Sequence, residues 1–91
     1  MSGRRTAFEI YWEILIFCRT PQSFTGIINR CDLNSKTGQE YLRFLVEKEY
    51  LVEVAEGDKT RYLATEKAGE YTALFSSLYR KLFDAPPRFK L

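Results

Sequence analysis

Residues 31–48 read CDLNSKTGQEYLRFLVEK, a tight turn followed by a capped amphipathic helix. Asp32 is a turn residue, and Leu33 should anchor the turn in the core. Asn34 is a good N-cap, because its side-chain oxygen can accept a hydrogen bond from a backbone N–H of the first helical turn. The positions expected to face the core fall within one arc of this helix: Gly38, Tyr41, Leu42, Leu45 and Val46.

Two helical patterns precede this stretch. Thr6 fits the N-cap of a first helix over residues 7–19, and Pro21 then interrupts the chain because proline cannot continue a helix interior. A second helix is predicted from about Ser23 to Cys31, burying apolar side chains at positions 24, 27 and 28.

The first helix is apolar around more than half of its circumference. Phe8, Tyr11, Leu15 and Cys18 form one stripe, Ile10, Ile14 and Phe17 lie beside it, and Glu9, Glu13 and Arg19 are the polar remainder. Such a helix is either covered on two sides, by its own core and a partner chain, or is the central core helix of a monomer.

A hairpin and a long helix follow. Residues 51–55 and 60–64 are short, partly alternating strand patterns joined around Gly57-Asp58, a two-residue hairpin signal. Thr65 caps a last helix that runs to Phe83 or Asp84, about 30 Å at 1.5 Å per residue. The segment 85–87, Ala-Pro-Pro, ends it and leaves a loose tail.

The predicted order of helix, helix, helix, hairpin, helix is that of a winged helix-turn-helix domain, a mostly helical α+β fold. In a helix-turn-helix the second helix enters the DNA major groove, so the pattern indicates DNA binding. We expect a flexible basic N-terminus over residues 1–5, a DNA-binding core over 6–64, a dimerisation helix over 65–84 and a tail over 85–91.

Composition limits the alternatives. The 91 residues are enough for one domain with a single core. The net charge is +2, from 14 basic and 12 acidic residues; residues 1–46 hold six basic against four acidic side chains, and residues 47–91 hold eight of each. A nonspecific DNA coater is normally more basic than this.

Several classes of function are not expected. Histidine is absent, the two cysteines have no zinc-site spacing, and the five glycines stand singly, so we expect no enzyme activity, metal, cofactor or small-molecule ligand. The longest apolar run, residues 14–18, is too short to span a bilayer, and no secretory signal is evident, so a cytoplasmic location is expected. Cys18 and Cys31 are predicted to be buried free thiols, with a bridge or redox switch as the alternatives.

The chain carries Thr25, Ile27, Leu33, Asn34 and the segments 41–48 and 61–67 in a pattern that resembles the small archaeal winged-helix DNA-binding proteins. Some of those proteins dimerise through an antiparallel coiled coil of their last helices. At the start of the helix after the wing, residues 65–67, the sequence is also similar to MarR- and PadR-type regulators. The resemblance covers about residues 7–83. These proteins usually carry glycine where this chain has Glu49 and Ala68, so Glu49 is expected to adopt a left-handed conformation.

The exposed arc of the third helix is polar. Arg43 is suited to hydrogen bonds with guanine, Gln39 to hydrogen bonds with adenine, and Lys36 to contact with a phosphate. Alternatively, Lys36–Glu40 and Arg43–Glu47 are i,i+4 ion pairs of an ordinary solvated helix. Glu40 can accept from a cytosine amino group but would repel phosphates, which favours a sequence-selective reader. The helix residues predicted to contact DNA are Ser35, Lys36, Thr37, Gln39, Glu40 and Arg43.

Gly38 needs a separate explanation, since glycine inside a helix costs about 1 kcal/mol relative to alanine. Close approach of helix two or of DNA would each explain it, and we favour helix two because Gly38 lies on the core arc.

Outside the third helix, Lys59 and Arg61 are predicted to contact DNA from the wing, unless Lys59 pairs with Glu56 instead. Arg4 and Arg5 are predicted to form a flexible arm on DNA.

The last helix carries more apolar surface than one small core needs. We therefore predict a homodimer that binds double-stranded DNA, most simply a transcriptional regulator. The alternatives are an architectural, chromatin-type DNA-binding protein and a winged-helix module for protein–protein interaction. The predicted dimer contacts are Tyr71, Leu74, Phe75, Leu78, Tyr79, Leu82 and Phe83.

Overall fold

A computed structural model of the chain describes residues 5–89 and has the predicted element order. Its elements are α1 (Ala7–Phe17), α2 (Phe24–Arg30), α3 (Ser35–Glu47), β1 (Leu51–Glu56), β2 (Lys59–Ala64) and α4 (Glu66–Phe83). The two strands form one antiparallel hairpin, hereafter the wing, in which Leu51 pairs with Ala64 and Glu56 pairs with Lys59. The predicted winged helix-turn-helix fold is therefore confirmed.

Side-chain caps explain why the helices begin where they do. Thr6, Ser23, Asn34 and Thr65 are the four N-caps, and each accepts a hydrogen bond from the backbone N–H three residues later. The Asn34 bond is 2.8 Å long, and Thr6 forms a reciprocal capping box with Glu9. Because each such cap contributes about 1 kcal/mol to helix stability, the sequence specifies these helix starts strongly.

The turn between α2 and α3 is tight. Asp32 adopts a left-handed conformation with φ of 55°, and the Leu33 N–H donates to the Ile28 carbonyl at 2.8 Å. Gly38 is buried against α2: a Cβ at this position would lie 2.5 Å from Ile28 Cγ2. The prediction that Gly38 permits close approach of α2 is confirmed.

The exit from α3 is left-handed as well. Glu49 has φ of 68°, which confirms the left-handed conformation expected from the family resemblance. Its carbonyl accepts a hydrogen bond of 2.6 Å from the Thr65 hydroxyl. The wing is also tied to the chain before α2, since Gln22 and Tyr62 exchange backbone hydrogen bonds of 3.0 and 2.8 Å. These contacts fix how the wing leaves α3.

The core lies between α1, α2, α3 and the start of the wing. Its largest fully buried apolar side chains are Ile14, Leu15, Ile27, Leu45 and Leu51. Cys18 and Cys31 are buried and free, as predicted. Burial is the main cause that raises the pKa of each thiol to about 12, so both are protonated near neutral pH.

The prediction that Glu13 belongs to the polar remainder of α1 is wrong. Glu13 is only 1% exposed and forms an ion pair with Arg5, whose Nη2 also donates to the Asp32 carbonyl at 3.2 Å. A buried carboxylate needs a charged or hydrogen-bonding partner, and Arg5 supplies it. Arg5 is therefore held against the domain rather than free in an arm. Arg4 lies outside the residues that the structure describes. Conversely, Phe8 on the predicted apolar stripe is 63% exposed.

The tail also differs from the loose segment that was expected. Asp84 ends α4 in a left-handed conformation, and the chain turns back so that Phe89 packs against the core. The Phe89 ring lies 5.6 Å from the Trp12 ring, and the Arg30 guanidinium lies 3.7 Å from the Phe89 centroid. The Phe75 ring of α4 also lies near Trp12, and the Trp12 side chain is buried.

Within residues 5–89, no helix is both long enough and apolar enough to cross a membrane. The same part of the chain brings together no group of three or more side chains able to hold a metal ion.

Candidate nucleic-acid interface

The exposed face of α3 is the first candidate surface. Lys36, Gln39, Glu40, Arg43 and Glu47 are all exposed, whereas Gly38, Leu42 and Leu45 on the opposite arc are buried. The capped first turn fixes the register of the helix, because the Thr37 N–H is bonded to Asn34. Ser35 is exposed and Thr37 is half-buried in that turn. The structure thus places the predicted polar side chains on one continuous surface.

The cations of this face are available to a ligand. Neither Lys36 with Glu40 nor Arg43 with Glu47 forms an ion pair in the part of the chain that the structure describes, although the i,i+4 spacing permits it. An unpaired guanidinium presents its full set of N–H donors, which suits bidentate contact with an acceptor pair such as guanine O6 and N7.

The wing carries the second set of predicted contacts. Lys59 is exposed beside the turn, where Gly57 has φ of 67°. The alternative pairing of Glu56 with Lys59 is not formed, because Glu56 accepts from Arg61 Nε at 2.5 Å instead. Arg61 lies diagonally across the hairpin from Glu56, within reach of a long side chain. Arg61 is thus partly neutralised, and Lys59 is the freer wing cation.

An open groove of about 280 Å³ separates α3 from the wing. The groove brings two residues that were not predicted, Glu53 and Tyr62, beside Gln39 and Arg43. Burial, and secondarily the Glu53 carboxylate, raises the pKa of Tyr62. Glu53 and Tyr62 are directly paired across the hairpin and so share one of its faces, but strand alternation alone does not show which face meets α3. Their position in the groove therefore could not be predicted from the sequence.

A different surface lies along α4 and the start of α1. Leu74, Leu78, Leu82 and Phe83 are between 54% and 72% exposed, and Phe8 of α1 joins them along an apolar groove of about 460 Å³. We call this surface the α4 face; its members are Phe8, Tyr71, Leu74, Phe75, Leu78, Tyr79, Leu82 and Phe83.

Three aromatic side chains of the α4 face are partly covered by their own chain. The Tyr71 hydroxyl donates to the Phe8 carbonyl at 2.5 Å, and Phe75 lies 6.3 Å from Trp12 between ring centroids. Tyr79 packs on Phe83 at 4.6 Å between centroids. Burial, with smaller effects of two neighbouring tyrosines, raises the pKa of Tyr71 well above its usual range. The predicted dimer contacts therefore share one surface, with the leucines most exposed.

Comparisons with known proteins agree with this architecture. The chain is similar to Sso10a-2, a DNA-binding protein from Sulfolobus solfataricus, with 28% identity and a TM-score of 0.75 over 88% of this chain and 87% of that one. It also resembles a MepR variant from Staphylococcus aureus bound to an oligodeoxyribonucleotide, with 11% identity and a TM-score of 0.71 over 86% of this chain and 59% of that one.

MarR from Staphylococcus aureus, in complex with salicylate and kanamycin, has 20% identity and a TM-score of 0.70 over 81% of this chain and 53% of that one. The search of curated proteins gave no match. The winged helix-turn-helix family model matches residues 4–82, which is most of the sequence. The chain belongs to the winged helix-turn-helix family.

Proposed function

We propose that the protein is a homodimeric, sequence-selective double-stranded DNA-binding protein that regulates transcription. The observation that carries this proposal is the exposed polar face of α3, on which Gln39 is exposed and Arg43 forms no ion pair within residues 5–89. The similarity to Sso10a-2, which is described as a DNA-binding protein, supports the same conclusion.

The side chains of α3 suggest how DNA is read. Arg43 donates to guanine O6 and N7, Gln39 pairs with adenine, and Glu40 accepts from a cytosine amino group. Lys36 and the hydroxyls of Ser35 and Thr37 contact the phosphates beside the helix N-terminus. Phosphate contacts position the helix, and base contacts select the sequence.

The remaining predicted contacts are unequal. Lys59 is exposed and suits a backbone phosphate, while Arg61 first has to leave Glu56. We do not assign Arg5 to DNA, because it neutralises the buried Glu13. Arg4 stays a proposed phosphate contact, outside the residues that the structure describes.

The α4 face supports dimerisation. A contiguous apolar surface of a few hundred Å² on a small protein marks an interaction site. Each square ångström of apolar surface removed from water contributes about 25 cal/mol. Pairing the faces about a two-fold axis buries the exposed leucines and Phe8 on both chains, and also accounts for the apolar excess of α1. Two recognition helices placed about 34 Å apart would enter successive major grooves.

Two other functions are tested by the same experiment. An architectural DNA-binding protein would bind any duplex with steep salt dependence, which the net charge of +2 does not favour. A protein–protein module would bind no DNA, and the carboxylates on α3 and the wing are what favour it. Anisotropy titrations with a random-sequence duplex and with a duplex selected in vitro separate the three. We expect tight binding to the selected duplex alone; equal binding to both, or binding to neither, would contradict the proposal.

A further inference from the structure

The groove between α3 and the wing holds two carboxylates beside the proposed base-reading side chains. Glu47 lines it from α3, together with Gln39 and Arg43, and Glu53 lines it from β1. Both glutamates are exposed, and neither belongs to an ion pair among residues 5–89. DNA that reaches Gln39 and Arg43 therefore passes close to two negative charges.

The charge of the surrounding surface does not offset these carboxylates. The helix α3 and the wing, residues 51–64, together carry four cationic side chains and five carboxylates, so the surface proposed to face DNA has a net charge of −1. One of the cations, Arg61, is already paired with Glu56. Nonspecific DNA binding comes almost entirely from cations that neutralise phosphates, and this surface has no excess of them.

We propose that Glu47 and Glu53 are specificity-determining residues that weaken binding to DNA lacking the correct bases. On DNA that lacks the correct bases their charges oppose the neighbouring phosphates without compensation, whereas on the correct sequence a groove carboxylate accepts a hydrogen bond from a cytosine amino group, which offsets the repulsion. Discrimination arises from a repulsive element against the wrong partner as well as an attractive one for the right partner. This inference rests on the proposed function and assigns two of its residues a role opposite to that of Arg43.

The experiment removes each charge while keeping the shape of the side chain. Glu47→Gln, Glu53→Gln and the double variant are titrated against a labelled 24-base-pair duplex of random sequence and against a duplex selected in vitro with the wild-type protein. By Coulomb's law at a separation of ~6 Å in water, each charge changes the affinity roughly threefold, so the double variant should bind random DNA about tenfold more tightly. The gain should shrink as added salt shortens the screening length.

Discrimination is the decisive readout. Because the glutamine variants lose the compensating base contact only in the selected complex, binding to the selected duplex should rise less than binding to random DNA, and the ratio of the two affinities should fall. Glu70→Gln is the matched control: Glu70 is exposed on α4 and does not line the groove. Wild-type binding to selected DNA with unchanged discrimination in the double variant would overturn this inference alone. Wild-type protein that binds neither duplex would overturn the proposed function and the inference with it.

Discussion

Replacing Gly38 with alanine tests the close packing of α2 on α3. The added Cβ would lie 2.5 Å from Ile28 Cγ2, about 1 Å closer than two carbon atoms pack at their optimum. Cγ2 is attached at the branch point of Ile28, whose χ1 is restricted in a helix, so the methyl group cannot swing aside. Overpacking of this kind costs roughly 1–3 kcal/mol, and the rigid neighbour places the cost near 3.

The higher helix propensity of alanine recovers about 1 kcal/mol, so the Gly38→Ala variant should lose about 2 kcal/mol of its free energy of unfolding. Urea denaturation followed by circular dichroism at a fixed protein concentration measures this change. Gly69→Ala is the matched control, because its added Cβ would meet no atom within 4 Å beyond its chain neighbours and the adjacent helix backbone. We expect that control to be more stable than the wild type by up to about 1 kcal/mol. Equal or increased stability of Gly38→Ala would refute the packing argument.

Three further predictions concern the α4 face, the thiols and the tail. Leu74→Lys should shift sedimentation from the dimer to a folded monomer, whereas Ala73→Lys, outside the α4 face, should not; a wild type that is monomeric at high concentration would refute the interface. Because burial raises the thiol pKa values from about 9 to about 12, the stability that the buried thiols contribute is fully present below pH 9 and falls as the pH rises toward 12. Urea titrations from pH 8 to 11 check this, and a flat profile would contradict it. Phe89→Ala should expose the sole tryptophan, Trp12, and shift its fluorescence to longer wavelength, while Arg88→Ala should not; an unshifted spectrum would contradict the docked tail.

The sequence was sufficient for features whose causes are local. Asn34 and Thr65 specify helix starts through a hydrogen bond three residues away, and Gly57 with Asp58 specifies a two-residue turn. The contact made by Gly38 was also predictable, since a glycine on the core arc of a helix has few structural explanations. The left-handed conformation of Glu49 was expected from the family resemblance and not from a local pattern.

Features that depend on distant parts of the chain were not predictable in this way. Helical periodicity assigned Glu13 to the solvent because the arrival of Arg5, eight residues earlier, leaves no trace in the pattern. The packing of Phe89 on Trp12 spans almost the whole chain. At the candidate interface, the sequence identified the exposed arc of α3 but not the position of Glu53 in the groove, because the angle between the wing and α3 is set by tertiary contacts.

The central claim is that α3 reads DNA through Gln39 and Arg43, and one affinity comparison tests it most directly. A duplex selected with the wild-type protein is titrated with the wild type and with the Gln39→Ala/Arg43→Ala double variant at one salt concentration. Loss of a base contact by Arg43 alone should cost roughly 1–3 kcal/mol, and the double variant should lose more and should bind selected and random DNA alike. A correctly folded double variant that binds the selected duplex as tightly as the wild type would contradict the account.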